Sequence, residues 1–195
     1  MKNALKASVM VAATVMVGAL LASPAYASDE ASDLPRVASE VSAEQLGQIG
    51  ATQDAAEIEA VMALASPEQT VQVLLNFSTH TYDAAVLVDE SPYADLTASS
   101  KKAPAQESSA ARSGGIYTCS YTAGPKGISY HGSVAYYFCG SGEWKGGPLT
   151  NWRKYHNGAS GNALVGPSNL NWMSCPPNNT CTIGGGVSLG YVSFN

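Results

Sequence analysis

The sequence predicts a chain of two differently built parts: an acidic, mainly α-helical segment and a small all-β module held by disulfide bonds. All four cysteines and all three tryptophans lie after Ser113, where apolar residues begin to alternate with polar ones. The charges divide there too, because residues 28–112 hold 14 acids and four bases, whereas the later residues hold four bases and one acid. Such asymmetry indicates units with different tasks. The predicted boundaries are a signal peptide at 1–27, the acidic segment at 28–96, a linker at 97–115 and the β module at 116–195.

The start of the chain has the pattern of a secretory signal peptide. Lys2 and Lys6 precede an apolar run at 7–21, and Ala25-Tyr26-Ala27 matches a cleavage motif, so cleavage between Ala27 and Ser28 is expected. The alternative is an N-terminal membrane anchor, but the run is shorter than the roughly 20 residues that span a bilayer. We therefore expect a secreted protein.

Helix-start patterns recur along the acidic segment. Ser42-Ala43-Glu44-Gln45 has the form of a capping box, and Thr52 can cap a second helix. Ser66-Pro67-Glu68-Gln69 repeats the pattern and predicts a third helix over Thr70–Ser78. The run Ala84–Val88 fits either a short strand or a continued helix.

The linker lacks any apolar period and consists mainly of small polar residues. Exposed segments of this kind are where proteases cut. Lys101-Lys102 and the bond between Arg112 and Ser113 are the predicted processing sites. The alternative is that these charges only keep the linker solvated.

The β module is predicted to be a small antiparallel sheet, sandwich or barrel. Gly140–Pro148 is expected to form a glycine-rich loop. The predicted strands are Ile116–Thr122, Ile128–Cys139, Leu149–His156, Asn169–Cys175, Cys181–Val187 and Leu189–Phe194.

An even number of cysteines behind a signal peptide predicts disulfide bonds. The short Pro-Pro-Asn-Asn-Thr stretch between Cys175 and Cys181 favours a pair there, which leaves Cys119 to pair with Cys139. The rival interpretation is a four-cysteine zinc site. The spacings lack the paired C-x₂₋₄-C knuckles of structural zinc, so neither a metal nor another cofactor is expected.

The β module lacks the residues of the common hydrolases. It has no aspartate and only one glutamate, which excludes paired carboxylates and a Ser-His-Asp triad within it. No catalytic residue is therefore predicted, and the protein is not expected to be an enzyme. A small secreted ribonuclease is the weaker enzymatic alternative, and it would use Glu143, His131, His156, Arg153 and Lys154.

Basic and aromatic residues alternate in the middle of the module. Trp144, Lys145, Trp152, Arg153 and Lys154 are the predicted contacts with an anionic cell envelope or a glycan. The alternative for the tryptophans is that they build the small core. The expected partners are a microbial envelope component and an activating protease, and the chain is expected to be a monomer.

The layout resembles the precursors of protease-activated bacterial antimicrobial peptides, which are bacteriocin-like proproteins. The resemblance rests on Ala25-Tyr26-Ala27, the acidic segment, the linker from Lys101-Lys102 to Arg112, and the module from Cys119 to Asn195. It implies a secreted, inactive protein that releases an active C-terminal part when an outside protease cuts it, and that then inhibits other microbes.

Charge suggests how such a protein is kept inactive, since the acidic part (net −10 over 28–112) can mask the module (net +3). A different class remains open: a secreted protease inhibitor, or an envelope- or glycan-binding module. In the inhibitor, the loop from Cys175 to Cys181 would enter a protease cleft.

Overall fold

Two β-sheets that share one apolar core make up most of the described chain. The computed structural model describes residues 34–90, 101–102, 115–120 and 123–194, with only the backbone described for 101–102. The large sheet holds β1 (Arg36–Val37), β2 (Thr70–Asn76), β3 (Thr81–Val88), β4 (Lys101–Lys102), β5 (Tyr117–Cys119), β6 (Gly127–His131), β7 (Val134–Cys139), β9 (Trp152–Asn157) and β12 (Asn179–Ile183). Its order is β1-β3-β2-β12-β9-β6-β7-β4, and β5 also pairs with β7.

The second sheet has the order β11-β10-β13-β8. Its strands are β8 (Gly142–Trp144), β10 (Ala163–Ser168), β11 (Asn171–Cys175) and β13 (Tyr191–Phe194). Buried side chains of both sheets meet in one cluster, which includes Val71, Val73, Phe138, Tyr155, Val165, Met173 and Val192. The prediction of a mainly β, disulfide-bonded fold is confirmed at this level.

Helix α1 (Ala43–Gly50) begins where the sequence predicted. The Ser42 hydroxyl accepts a hydrogen bond from the backbone N–H of Gln45, and the Gln45 side chain accepts one from the Ser42 N–H. This capping box satisfies two backbone donors that the first helical turn leaves unpaired. The helix packs its buried Leu46 on one end of the large sheet, against β3.

Helix α2 (Ala55–Met62) begins two residues later than the predicted cap implied. Its N-cap is Asp54, which forms a capping box with Glu57. The prediction that Thr52 caps this helix is wrong, because the Thr52 hydroxyl donates to the Ile49 carbonyl at the end of α1. The Thr52 side chain therefore caps the end of α1 and accepts no hydrogen bond from the first N–H groups of α2.

The predicted third helix over Thr70–Ser78 is wrong, since this run is strand β2. Its side chains Val71, Val73 and Leu75 enter the core on one face, while Leu74 on the other face packs under α1. A strand covered on both faces is apolar without alternation, so its sequence resembles a buried helix. The run Ala84–Val88, whose sequence fits either a strand or a helix, is also a strand and forms the end of β3.

Helix content over the whole acidic segment stays a prediction. Residues 28–33 and 91–96 lie outside the described part, as does the predicted signal peptide. Within the described part, the segment contributes both helices and the strands β1, β2 and β3.

The acidic segment and the β module are joined through the sheet itself. Strand β2 pairs in parallel with β12, with Val71 opposite Asn179 and Leu75 opposite Ile183. Ile58 and Val61 of α2 belong to the core cluster that both sheets share. Residues 33–195 accordingly form one compact unit.

Within the module, the predicted strand Ile128–Cys139 is two strands. Gly132, with a φ of 61°, makes the turn between β6 and β7, which pair as an antiparallel hairpin. The predicted loop Gly140–Pro148 contains the short strand β8, and β10 was not predicted. Glycine adopts positive φ without the steric cost that other residues carry.

A β-bulge decides which way three consecutive residues of β9 point. Tyr130 pairs with Lys154 and His131 pairs with Trp152, so Arg153 is the extra residue. Without the bulge, Trp152 and Lys154 would share a face. With it, Trp152 enters the core and Lys154 lies on the opposite face.

The predicted disulfide pairing is confirmed. Cys119–Cys139 joins β5 to β7, and Cys175–Cys181 joins β11 of the second sheet to β12 of the large sheet. Two disulfide bonds indicate an oxidising compartment. Among the residues that the structure describes, no helix combines the length and apolar character that a membrane crossing requires.

A candidate ligand-binding cleft

A cleft of about 830 Å³ lies on the face of the large sheet that points away from the second sheet. Among the described residues, helix α1 covers this face near β2 and β3, and the cleft lies over β12, β9, β6 and β7. We call it the sheet-face cleft. Its lining includes Glu40, Val41, Ser42, Gln72, Tyr130, Ala135, Asn151, Arg153, Lys154 and Thr182. Clefts of this size take small ligands or short segments of a polymer.

Lys154 provides the cleft with a shielded positive charge. Its ammonium contacts the carboxylate of Glu40, and the two side chains are only 19% and 17% exposed. The same ammonium lies 4.5 Å from the centre of the Tyr130 ring. Burial lowers the pKa of Lys154 to about 8, so the amine still carries its proton at neutral pH.

Gln72 holds the segment that carries Glu40. The Val41 N–H donates to the Gln72 side-chain oxygen at 2.9 Å, and the Gln72 amide donates back to the Val41 carbonyl at 2.7 Å. The same amide nitrogen reaches the Thr182 hydroxyl on β12, 2.9 Å away. The Gln72 side chain thus pairs with both backbone groups of Val41, as a neighbouring strand would. These bonds hold the adjacent Glu40 over the cleft.

His156 lies on β9 two residues beyond Lys154, on the same side of the sheet. It is buried, and its Nδ1 is 3.0 Å from the Thr180 hydroxyl. Burial, and then the charge of Lys154, lower the pKa of His156 to about 4. The ring is therefore neutral at pH 7, so it adds no positive charge to that of Lys154.

Three of the five predicted target contacts line the cleft, namely Trp152, Arg153 and Lys154. The exposed Arg153 lies beside the shielded amine of Lys154. Trp152 is 2% exposed and belongs to the core cluster, so it offers a ligand almost no surface. Trp144 and Lys145 lie at β8 in the other sheet.

At β8 the single acid of the module is already engaged. The Lys145 ammonium is 2.6 Å from the Glu143 carboxylate, which also accepts a hydrogen bond from the Tyr191 hydroxyl at 3.1 Å. These contacts lower the pKa of Glu143, with Lys145 as the main cause.

The residues of the ribonuclease alternative are not brought together. His131 lies on the core side of the large sheet, His156 lies on the cleft side, and Glu143 is in the second sheet. An acid and a base on opposite faces of one sheet cannot act on one phosphate.

One pair that the sequence analysis missed has the contacts of a nucleophile and its base. The Ser129 hydroxyl is 2.7 Å from His131 Nε2, and His131 Nδ1 is 2.9 Å from the Thr150 carbonyl. Because Nδ1 donates to that carbonyl, Nε2 accepts from the serine. Ser129 is 0% exposed and lines neither of the two cavities described, so the pair serves the interior of the fold.

The loop between Cys175 and Cys181 is half-buried. Asn179 and Thr180 are fully or almost fully buried, and the Asn178 N–H donates to the Asn157 carbonyl. A protease inhibitor presents a protruding loop, which this one does not resemble.

The predicted processing sites fall mostly outside the described residues. Ala27, Ser28, Arg112 and Ser113 lie there. Lys101-Lys102 forms strand β4, which pairs in parallel with the start of β7. A protease must detach this backbone before it can cut.

Neither a protein-family profile, nor a curated protein, nor a solved structure matches this chain. The function is therefore argued from the geometry of the sheet-face cleft and the organisation of the chain.

Proposed function

We propose that the protein is a secreted, non-enzymatic antimicrobial proprotein that binds an anionic component of a microbial envelope through the sheet-face cleft. In this proposal the acidic segment keeps the protein inactive, and a protease that cuts the linker activates it. The observation that carries the proposal is the contact between Glu40 of the acidic segment and Lys154 of the module. The segment supplies the counter-ion that an external ligand would otherwise supply.

The chemistry of the cleft favours an anionic ligand. A phosphate or carboxylate that displaced Glu40 would keep Lys154 paired, and it would gain the exposed Arg153 as a second contact. A neutral ligand would leave the amine without a counter-ion in a partly dry site, which is costly. The polar floor formed by Gln72, Thr182 and Asn151 suits a ligand that carries hydroxyl groups beside its charge.

The shared sheet changes what a cut in the linker does. The pairing of β2 with β12 and the common core hold the two parts together after the covalent connection is broken. Cutting removes the high effective concentration that the tether provides, so separation becomes dependent on dilution and on competing ligand. Activation is then release in two steps: the cut, followed by displacement at the envelope.

The test compares the binding of four proteins to anionic and neutral envelope polysaccharides, together with growth inhibition. They are the uncut wild type, the trypsin-cut wild type, uncut Glu40→Gln and uncut Lys154→Gln. We expect Glu40→Gln to bind the anionic polymer about tenfold more tightly than the uncut wild type, which corresponds to about 1.4 kcal/mol. Lys154→Gln should lose this binding, and trypsin should raise growth inhibition by the wild type.

A variant with Lys101→Gln, Lys102→Gln and Arg112→Gln is the control for the cut, and melting curves control for folding. Equal inhibition before and after cutting, together with equal binding by wild type and Glu40→Gln, would refute the proposal. Binding without any growth inhibition would instead favour a plain envelope- or glycan-binding module.

A further inference from the structure

The hairpin of β10 and β11 exposes the most accessible large apolar side chain of the described residues. Leu170, in the two-residue turn Asn169–Leu170, is 89% exposed, and Trp172 at the start of β11 is 41% exposed. Single exposed apolar residues are common on protein surfaces. Two of them within three residues, at a tip that projects from an edge strand, form a local apolar feature.

The hairpin itself carries no charged side chain. From Tyr155 to the end of the chain the sequence has no Asp, Glu, Lys or Arg. The charged residues of the second sheet, Glu143 and Lys145, lie at β8, three strands from β11. At the usual strand spacing this is about 14 Å. The tip can therefore enter a low-dielectric layer without desolvating an ion.

The tip is held in shape before it meets a partner. The Ser168 hydroxyl accepts hydrogen bonds from the N–H groups of Leu170 and Asn171, at 3.3 and 3.2 Å. Gly166 lets the strands approach closely, since a Cβ there would lie 2.1 Å from the Asn171 carbonyl oxygen. The base is anchored by Cys175 through its disulfide to the large sheet. A preordered tip loses little conformational entropy on binding.

We propose that this hairpin tip inserts into the interfacial layer of a lipid bilayer. Tryptophan favours the headgroup level and leucine favours the acyl layer below it, which matches Trp172 placed behind Leu170. Charged residues at that depth cost several kcal/mol, and this part of the chain has none. The contact does not depend on the sheet-face cleft, because Lys154 lies in the other sheet.

The proposal predicts binding to vesicles of pure phosphatidylcholine, which have no net charge, at millimolar lipid. Brominated lipid should quench part of the tryptophan emission, and Trp172→Phe should remove that part. Trp152 is buried in the core, and Trp144 lies in β8, three strands from β11. Leu170→Ser should lower the bound fraction at least fivefold. Leu64→Ser is the matched control, because Leu64 is 44% exposed in the connection between α2 and β2.

High salt and Lys154→Gln should leave vesicle binding unchanged, which separates this contact from the proposed envelope contact. Equal melting temperatures for the two leucine variants exclude misfolding as the cause of a loss. The inference is overturned if wild type fails to bind the neutral vesicles, if the two leucine variants behave alike, or if salt abolishes binding. It is also overturned if Leu170→Ser converts a dimer to a monomer without altering vesicle binding, since the occupant would then be a second copy of the chain.

Discussion

Acidification from pH 7 to pH 5 should weaken the fold, because His156 is held neutral beside Lys154. Its pKa is about 4 in the folded protein and 6.5 when unperturbed. Between these values the unfolded chain binds more protons than the folded chain, so stability is present above pH 6.5 and is lost as pH falls towards 4. Proton linkage for one such group gives a loss of about 2 kcal/mol between pH 7 and pH 5.

The assay is urea unfolding at pH 7, 6 and 5, followed by tryptophan fluorescence, for wild type and His156→Gln. Glutamine keeps a hydrogen-bonding group near the Thr180 hydroxyl but cannot titrate. We expect the variant to lose about 2 kcal/mol less than the wild type over this range. His131→Gln is the comparison variant: burial also lowers the pKa of His131, so this change should reduce the pH dependence in the same direction. If His156→Gln keeps the full pH dependence of the wild type, the reasoning about this residue is wrong.

Three further predictions concern packing and connectivity. Gly50→Ala should destabilise by about 1–3 kcal/mol, because its Cβ would lie 2.0 Å from the Asp83 carbonyl oxygen. Gly47→Ala in the same helix meets only ordinary contact and should stabilise by about 0.5–1 kcal/mol, and a reversed order of the two melting temperatures would contradict the packing of α1. Replacing both Cys175 and Cys181 with serine should cost about 2–4 kcal/mol in urea unfolding, and an unchanged midpoint would remove the disulfide as a stabilising link between the sheets. After a trypsin cut in the linker, the fragments should co-elute at micromolar concentration and separate in denaturant, whereas separate elution in native buffer would count against the shared core.

Local patterns in the sequence predicted the features that depend on neighbours along the chain. The Ser42 capping box is an example, since its two hydrogen bonds join residues three apart. The pairing of Cys175 with Cys181 is another, because the short stretch between them brings their ends together. The helix predicted over 70–78 failed because burial on both faces of β2 depends on elements far away in sequence.

The cleft was beyond prediction for the same reason. Gln72 and Thr182 are 110 residues apart in sequence, and Glu40 and Lys154 are 114 apart. The basic neighbours of Trp152 predict a place on the target surface, and only the bulge at Arg153 turns its side chain inward. A bulge depends on pairing with β6, which no pattern within β9 reveals.

The parallel pairing of β2 with β12 also constrains how the chain folds. Strand β2 covers residues 70–76 and β12 covers residues 179–183, so their ladder is a contact of high sequence separation and should form late. Until β12 arrives, one edge of β2 remains open, and open edges of apolar strands recruit other chains. The segment around β2 has an excess of acidic residues. Until β12 pairs with β2, the negative charge of these segments makes separate chains repel one another, which opposes such association. The acidity of the segment would then protect the chain during folding as well as occupy the cleft afterwards.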